Sequence, residues 1–492
     1  MAETARAVSA SCAFWTVARH ELLLLWRDRS LPIAVALLLA LICGGLYNGL
    51  LRVDERDELL VALLREQDSR VDNLAAQLRT AETDKLDVYA NPTNPSSLLA
   101  SGAGLRYAIM PSAPLAPLTL GQSDILPSYF RISGRSEVNF VYDSDIENPW
   151  HLSAGHFDAA YVAVYLLPLL ILALSYNLLS AERERGTLRM LLAQPAPLAV
   201  VVLAKVAVRG LALLTPLAIL PLAVALLARS SSDFWNVAAS GLLWSASACV
   251  YGLFWIAVAV MVNALGKSSA VNAIVLAGVW VAVVLVAPVT LSVAVDVIHP
   301  APSRIEMVQK LHKLHEAAMR HYADLDRTDY ETLRDPGPRN GKVYIQPTTL
   351  RYFHIQREVS EMMRPWMDDF EATLDRRQQF VETYRFLSPA ATTFEAMSDL
   401  AGTNLGRHRH FQRLASDYYR QRLSYVFPMI LSGTAVSEAD LRDMPRFVWT
   451  EERSGHGIWR RATSLAELLL LTVALCVFSV WRLSNSTRSL GR

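Results

Sequence analysis

The sequence predicts a membrane α-helical protein: six transmembrane helices with two large, mostly helical extracytoplasmic insertions, and some short strands in the first. Three observations predict it. Apolar residues make up 52% of the 492, and they come in blocks rather than evenly spread. Six blocks, at 31–51, 157–179, 198–227, 237–262, 271–295 and 465–480, approach or reach the ~20 residues a helix needs to cross a bilayer. Basic residues flank alternate ends of these blocks. Arg19, Arg27 and Arg29 precede the first, and Arg183, Arg185, Arg189 and Lys205 surround the turn after the second. Lys267 lies between the fourth and fifth, and Arg482, Arg488 and Arg492 follow the sixth. The positive-inside rule then puts both termini in the cytoplasm.

The chain divides accordingly. Residues 1–30 form a cytoplasmic, interfacial connecting helix, 31–51 the first span, and 52–156 extracytoplasmic domain one. Residues 157–295 carry spans two to five with a hairpin at 180–197. Extracytoplasmic domain two is 296–463, the sixth span 464–481, and the cytoplasmic tail 482–492. In the first segment Phe14, Trp15, Leu22 and Trp26 mix with Arg19, Glu21, Arg27 and Arg29, the pattern of a helix at the lipid headgroups. The polar residues before the first apolar run, and its length, do not fit a cleavable signal.

Domain one opens as a continuation of the first span. Leu60, Leu64, Val71, Leu74 and Leu78 share one helical face, so one long helix leaves the membrane. Prolines punctuate the chain from Asn91, and 129–132 with 138–141 read as short strands. In domain two, Ile305, Val308, Leu311 and Leu314 begin a helical face, 335–341 is a turn, and 353–384 and 411–425 are amphipathic helices. With no cysteine in either domain, the apolar stripes predict that the two pack on each other, or on the same loops of a partner subunit, burying Leu60, Leu64, Leu74, Ile305, Leu311 and Leu314.

Several chemistries are excluded. Gly266-Lys267-Ser268 lacks the first glycine of a phosphate loop, whose place is taken by Met261. His312, His315, Glu316 and His321 miss the zinc-protease spacing, because Met319 stands where the second histidine belongs. Arg407-His408-Arg409-His410 reads as a solvated basic face, and no basic stripe suggests nucleic acid. No nucleophile motif, metal site or bound cofactor is expected. The spans carry almost no ionisable groups, which argues against a proton-coupled transporter. Polar residues within them, Tyr176, Asn177, Trp244, Ser245 and Asn272, are candidate pathway positions, with helix packing as the alternative.

The hairpin carries the most information. After 178–180 the chain breaks into Glu182, Arg183, Glu184, Arg185, Gly186, Thr187 and Leu188. Acidic groups are favoured near a helix start, and Gly186 permits a turn. Either the segment is a lever or it merely stops a span.

This run, with Leu191-Leu192-Ala193-Gln194-Pro195 and Lys205 after it, resembles the coupling region of type-two ATP-binding-cassette export permeases. The opening 18–22 with Arg27-Asp28-Arg29 resembles their interfacial connecting helix. The segments 114–118 and 121–124, with 387–390 and 401–403, point to a subgroup with two large extracytoplasmic domains. The resemblance implies a permease subunit of the bacterial inner membrane, with a second permease, identical or related, and two cytoplasmic ATPases that carry ATP and Mg. The helix at 182–188 would fit a groove on the ATPase, and the outer domains would form an exit gate or dock a periplasmic protein. A receptor or scaffold that signals inward is the alternative reading of the residues.

Overall fold

The computed structural model describes residues 2–80, 91–99, 104–121, 126–134, 157–188, 190, 197–227, 234–300, 303–323, 341–451 and 466–482. Among these, five helices are long and apolar enough to cross a membrane. They are Ser30–Arg79, Ala159–Glu184, Leu198–Val224, Phe234–Ala264 and Ser269–Ile298. The sixth expected span falls on a helix at 466–482.

Helix α1 (Ala2–Arg27) and helix α2 (Ser30–Thr80) meet at Arg29, whose φ of 59° turns the chain. The expected protruding helix is α2. Its 51 residues span about 75 Å, well beyond a ~30 Å hydrocarbon core. Helix α3 (159–175) starts at the Asp158 cap, whose carboxylate accepts from the Tyr161 and Leu120 amides at 2.6 and 2.8 Å. It contains a π-turn, Val162–Leu166, just before Pro168. The helical partner of the Val164 carbonyl would be the Pro168 nitrogen, which has no hydrogen. The Tyr251 hydroxyl donates to that carbonyl instead, at 3.1 Å.

After a short helix α4 (Ser180–Glu184) come α5 (Leu198–Leu227), α6 (Phe234–Ala264) and α7 (Ser269–Ile298). Trp244, Trp255 and Tyr251 of α6 are fully buried and centre the main core with Leu38, Leu167 and Leu217.

A distal domain stands at the end of the bundle away from α4. It holds strands β1 (Arg106–Ile109) and β2 (Tyr129–Ile132), paired antiparallel with Arg106 opposite Ile132. The strand at 129–132 was expected, but its partner is β1; 138–141 lies outside the described residues. Helices α8 (Arg304–His321), α9 (Pro347–Tyr384), α10 (Pro389–Ala401), α11 (Leu405–Ser432) and α12 (Glu438–Asp443) complete it, and α13 (466–482) returns to the bundle.

The two inserted segments do pack on each other. Leu74 of α2 meets Val426, Phe427, Val436 and Leu441, and Arg79 makes a two-pronged bond with Glu438 at 2.6 and 3.1 Å. Leu60 and Leu74 are buried, and Leu311 and Leu314 partly so. Leu311 and Leu314, however, belong to a cluster with Ile355, Val359 and Met363 of α9 inside the second segment, and Leu64 and Ile305 remain 41% and 71% exposed.

Helix α10 escapes sequence reading because its residues are small and polar. Ser388 caps it by accepting from the Ala391 amide, and Gly402 ends it with a φ of 73°. Its Ala390, Met397, Leu400 and Ala401 join the bundle core. The Ser388 hydroxyl also donates to Val283, inside a second π-turn at Val281–Val286. The segments 387–390 and 401–403 are thus the two ends of a helix that covers the distal end of the bundle.

His408 is not part of a solvated face. It is 3% exposed, its ring set against Phe130 and Phe411. Burial, and then the charge of Arg56, pull its pKa down to about 4. An unfolded histidine titrates near 6.5, so between these values the unfolded state binds more protons. Stability therefore falls as pH drops from about 6.5 towards about 4, by up to about 3 kcal/mol. The thermal midpoint of His408→Phe should lose this part of its pH slope while wild type keeps it.

Candidate functional site

The hairpin follows an abrupt end of α3. The α-helix stops at Ser175, 176–179 form turns, and α4 begins at Ser180. A helix end leaves carbonyls without intrahelical partners. Four side chains from three other helices take them. Arg209 of α5 donates to Leu174, and Lys205, one turn earlier, donates to Leu178 at 3.3 Å. Asn263 of α6 donates to Ser175 at 3.0 Å and accepts from the Leu179 amide at 3.2 Å. Asn272 of α7 donates to Tyr176, and also to Asn263, at 3.3 Å each. The break is therefore a built junction of α3, α5, α6 and α7.

Two ion pairs tie this junction to the charged elements. Arg209 grips the Glu21 carboxylate through two nitrogens, Nε at 3.0 Å, with both residues under 10% exposed. Lys205 reaches Glu182 at 3.0 Å. One face of α5 thus binds α1 through Arg209 and α4 through Lys205. Both cations lie within an apolar helix, contrary to the expectation that the spans are nearly free of ionisable groups. Pairing with carboxylates and carbonyls is what makes such burial tolerable. Lys205 and Arg209 sit four residues apart, a spacing that signals a shared face. Their partners could not be read, because Glu21 lies 188 residues before Arg209.

Within the hairpin the residues divide by direction. Glu182 turns inward, accepting from Lys205 and the Thr187 hydroxyl. Glu184 accepts from the Ser269 amide at 2.7 Å and its hydroxyl at 3.0 Å, fixing α4 to the start of α7. Leu188 is buried. Arg183 is exposed and its guanidinium lies against Gly266, where an added Cβ would sit 3.0 Å away. Arg185, Gly186 and Met190 are exposed. Gly186 has a φ of 74°, the turn its residue type anticipates, with open space around it.

Arg19 and Arg27 on α1, and Arg29 at the turn after it, are exposed while Glu21 faces α5. Exposed Trp15, Leu23 and Trp26 accompany them. Of the candidate pathway residues, Asn272 holds the junction. Trp244 is fully buried and donates to the Thr119 hydroxyl at 2.9 Å, while Ser245 donates to Ala218 at 3.0 Å. Tyr176 and Asn177 are half-buried at the break itself.

No curated protein sequence matches the chain. Residues 15–486 match the family described as ABC-2 family transporter protein. Members are multi-pass membrane permeases that work with ATP-binding-cassette ATPase subunits. With the match covering nearly the whole chain, this protein belongs to the ABC-2 transporter family and is a non-catalytic permease subunit.

Proposed function

We propose that this permease exports its substrate, that both termini are cytoplasmic, and that α13 completes six spans across a bacterial inner membrane. On this reading 52–156 and 296–463 are extracytoplasmic. The hairpin is the element that the ATPase grips, and the ATPase carries the ATP and Mg. The observation that supports it is the division within 182–188. Glu182 and Glu184 are spent on holding the hairpin to α5 and α7, whereas Arg185 and Gly186 are left exposed. A push on that exposed tip would reach α1 and the spans through Lys205 and Arg209.

A second permease subunit, identical or related, would cover α7, whose most apolar window is only 17% buried. Substrate would pass between the two subunits, with Tyr176 and Asn177 nearest the moving break. Trp244, Ser245 and Asn272 would serve by holding the helices that line it. Lipid would meet the exposed aromatic face of α1, and a periplasmic protein would dock on the distal domain.

The test is at Gly186. Valine there fits the space but not a φ of 74°, which costs a β-branched residue at least about 1–2 kcal/mol. Gly186→Val should reduce co-purification of the ATPase about tenfold, and Gly186→Asn, which tolerates that φ, should retain it. Equal recovery with both variants and wild type would remove the hairpin from the docking surface.

A further inference from the structure

The turn between α9 and α10 reaches down to the middle of α7. At residue 377, α9 is level with the distal end of α7, because Arg377 donates to Asp296 at 2.6 Å and to the His299 carbonyl. At residue 388 the chain is lower. The Ser388 hydroxyl donates to the Val283 carbonyl at 3.3 Å, halfway along the 30 residues of α7. Half of that helix is about 22 Å long and a hydrocarbon core is ~30 Å thick, so the midpoint of a spanning α7 lies within hydrocarbon. The turn at 385–387 therefore carries its exposed Phe386 and Leu387 at that depth.

Beside this turn runs α13. Leu470, Val473, Val477 and Trp481 are exposed along it, and Leu468, Thr472 and Ser479 form its buried stripe. A groove of about 290 Å³ lies between the start of α13 and the start of α10. Pro389, Thr392 and Leu468, all buried, form its floor. Phe386 stands on one side, and Leu470 and Leu471 on the other.

The two polar side chains of this lining are engaged within the chain. The Thr392 hydroxyl donates to the Arg385 carbonyl at 2.9 Å, and Glu467 pairs with Arg385 at 3.3 Å. A polar solute would give up its hydration there with nothing in return. A flexible hydrocarbon chain needs no such partner, and between an aromatic wall and a leucine wall it gains dispersion contacts on two sides. We infer that this groove binds one acyl chain of a phospholipid from the distal leaflet, which joins the α9–α10 turn to α13. The inference rests on α13 spanning the membrane, as proposed above, and is independent of the direction of transport.

The full chain is placed in nanodiscs containing a phosphatidylcholine with a diazirine along one acyl chain, then irradiated, and the adducts are mapped by mass spectrometry. Bulk lipid reaches the exposed Leu470 and Val477. Only a chain inside the groove reaches the buried Pro389, Thr392 and Leu468. Wild type should carry adducts on both sets. Leu471→Trp fills the groove from an exposed position, so it should lower the adducts on the buried set about fivefold or more, through loss of the chain's packing contacts, and leave Val477 unchanged. Leu470→Trp, on the same wall, should act alike, and neither variant should lower the thermal midpoint. Adducts on Leu470 and Val477 alone would mean ordinary lipid contact, and an undiminished buried set in both variants would mean that no chain lies in the groove; either result overturns the site. No adduct even on Val477 would take α13 out of the bilayer, which overturns the six-span reading and the site together.

Discussion

Arg209→Leu is expected to cost about 3–5 kcal/mol of stability, the range for removing one partner of a buried ion pair. The change leaves Glu21 buried without its cation and the Leu174 carbonyl without its donor. Glu21→Leu should cost less, because Arg209 would still hold the carbonyl of Leu174. The double variant should recover part of the loss, since two apolar residues replace two charges. Thermal unfolding in detergent micelles, compared across the cycle, reads the coupling. The double variant should be less destabilised than the sum of the singles by more than about 1 kcal/mol. Additive losses would mean that α1 and α5 are held by packing alone.

The second large effect is expected at Arg422. It is 1% exposed and faces no carboxylate among its bonds. It donates to the carbonyls of Ile132, Leu98 and Gly104 at 3.0, 2.7 and 2.8 Å, so one side chain of α11 gathers the end of β2, a short 3-10 helix and a turn of the first inserted segment. Burial draws its pKa down to about 10, which still leaves it charged at neutral pH. Bonds from a charged donor contribute about 1.5–3 kcal/mol each, so Arg422→Met should cost about 4 kcal/mol or more. The loss should be local. Amide hydrogen exchange at 104–109 and 129–132 should accelerate strongly, while α5 and α6 keep their protection. Arg422→Lys, with a shorter and less branched set of donors, should fall between. Unchanged protection of β1 and β2 in Arg422→Met would refute the clamp.

The sequence made some of this fold legible and hid the rest for physical reasons. The long helix after the first span, the helices of domain two and the strand at 129–132 follow from local periodicity, which the structure keeps. Gly186 announced its turn because positive φ is nearly a glycine property. The break in α3 has no such local sign. Residues 176–179 contain neither glycine nor proline. What ends the helix is the set of donors brought to its carbonyls from Lys205, Arg209, Asn263 and Asn272. Helix α10 was hidden because Ala390, Ala396 and Ala401 share its buried side with only two large apolar residues, Met397 and Leu400, too few to mark a stripe. The charges of the hairpin were recognised, but not their direction. Glu182 read as a contact for a partner protein, and only its nearness to Lys205 shows that it is a contact within the chain.

On the proposed function, the exposed tip of the hairpin is where the ATPase docks. Site-specific photo-cross-linking in living cells tests it most directly, with a benzophenone amino acid placed at Arg185, exposed on that tip. The control position is Arg376, exposed on α9 in the distal domain. The Arg185 adduct, identified by mass spectrometry, should contain a protein with a phosphate-loop ATPase motif, and the Arg376 adduct should not. An ATPase adduct at Arg376 instead, or the same adduct at both positions, would contradict it.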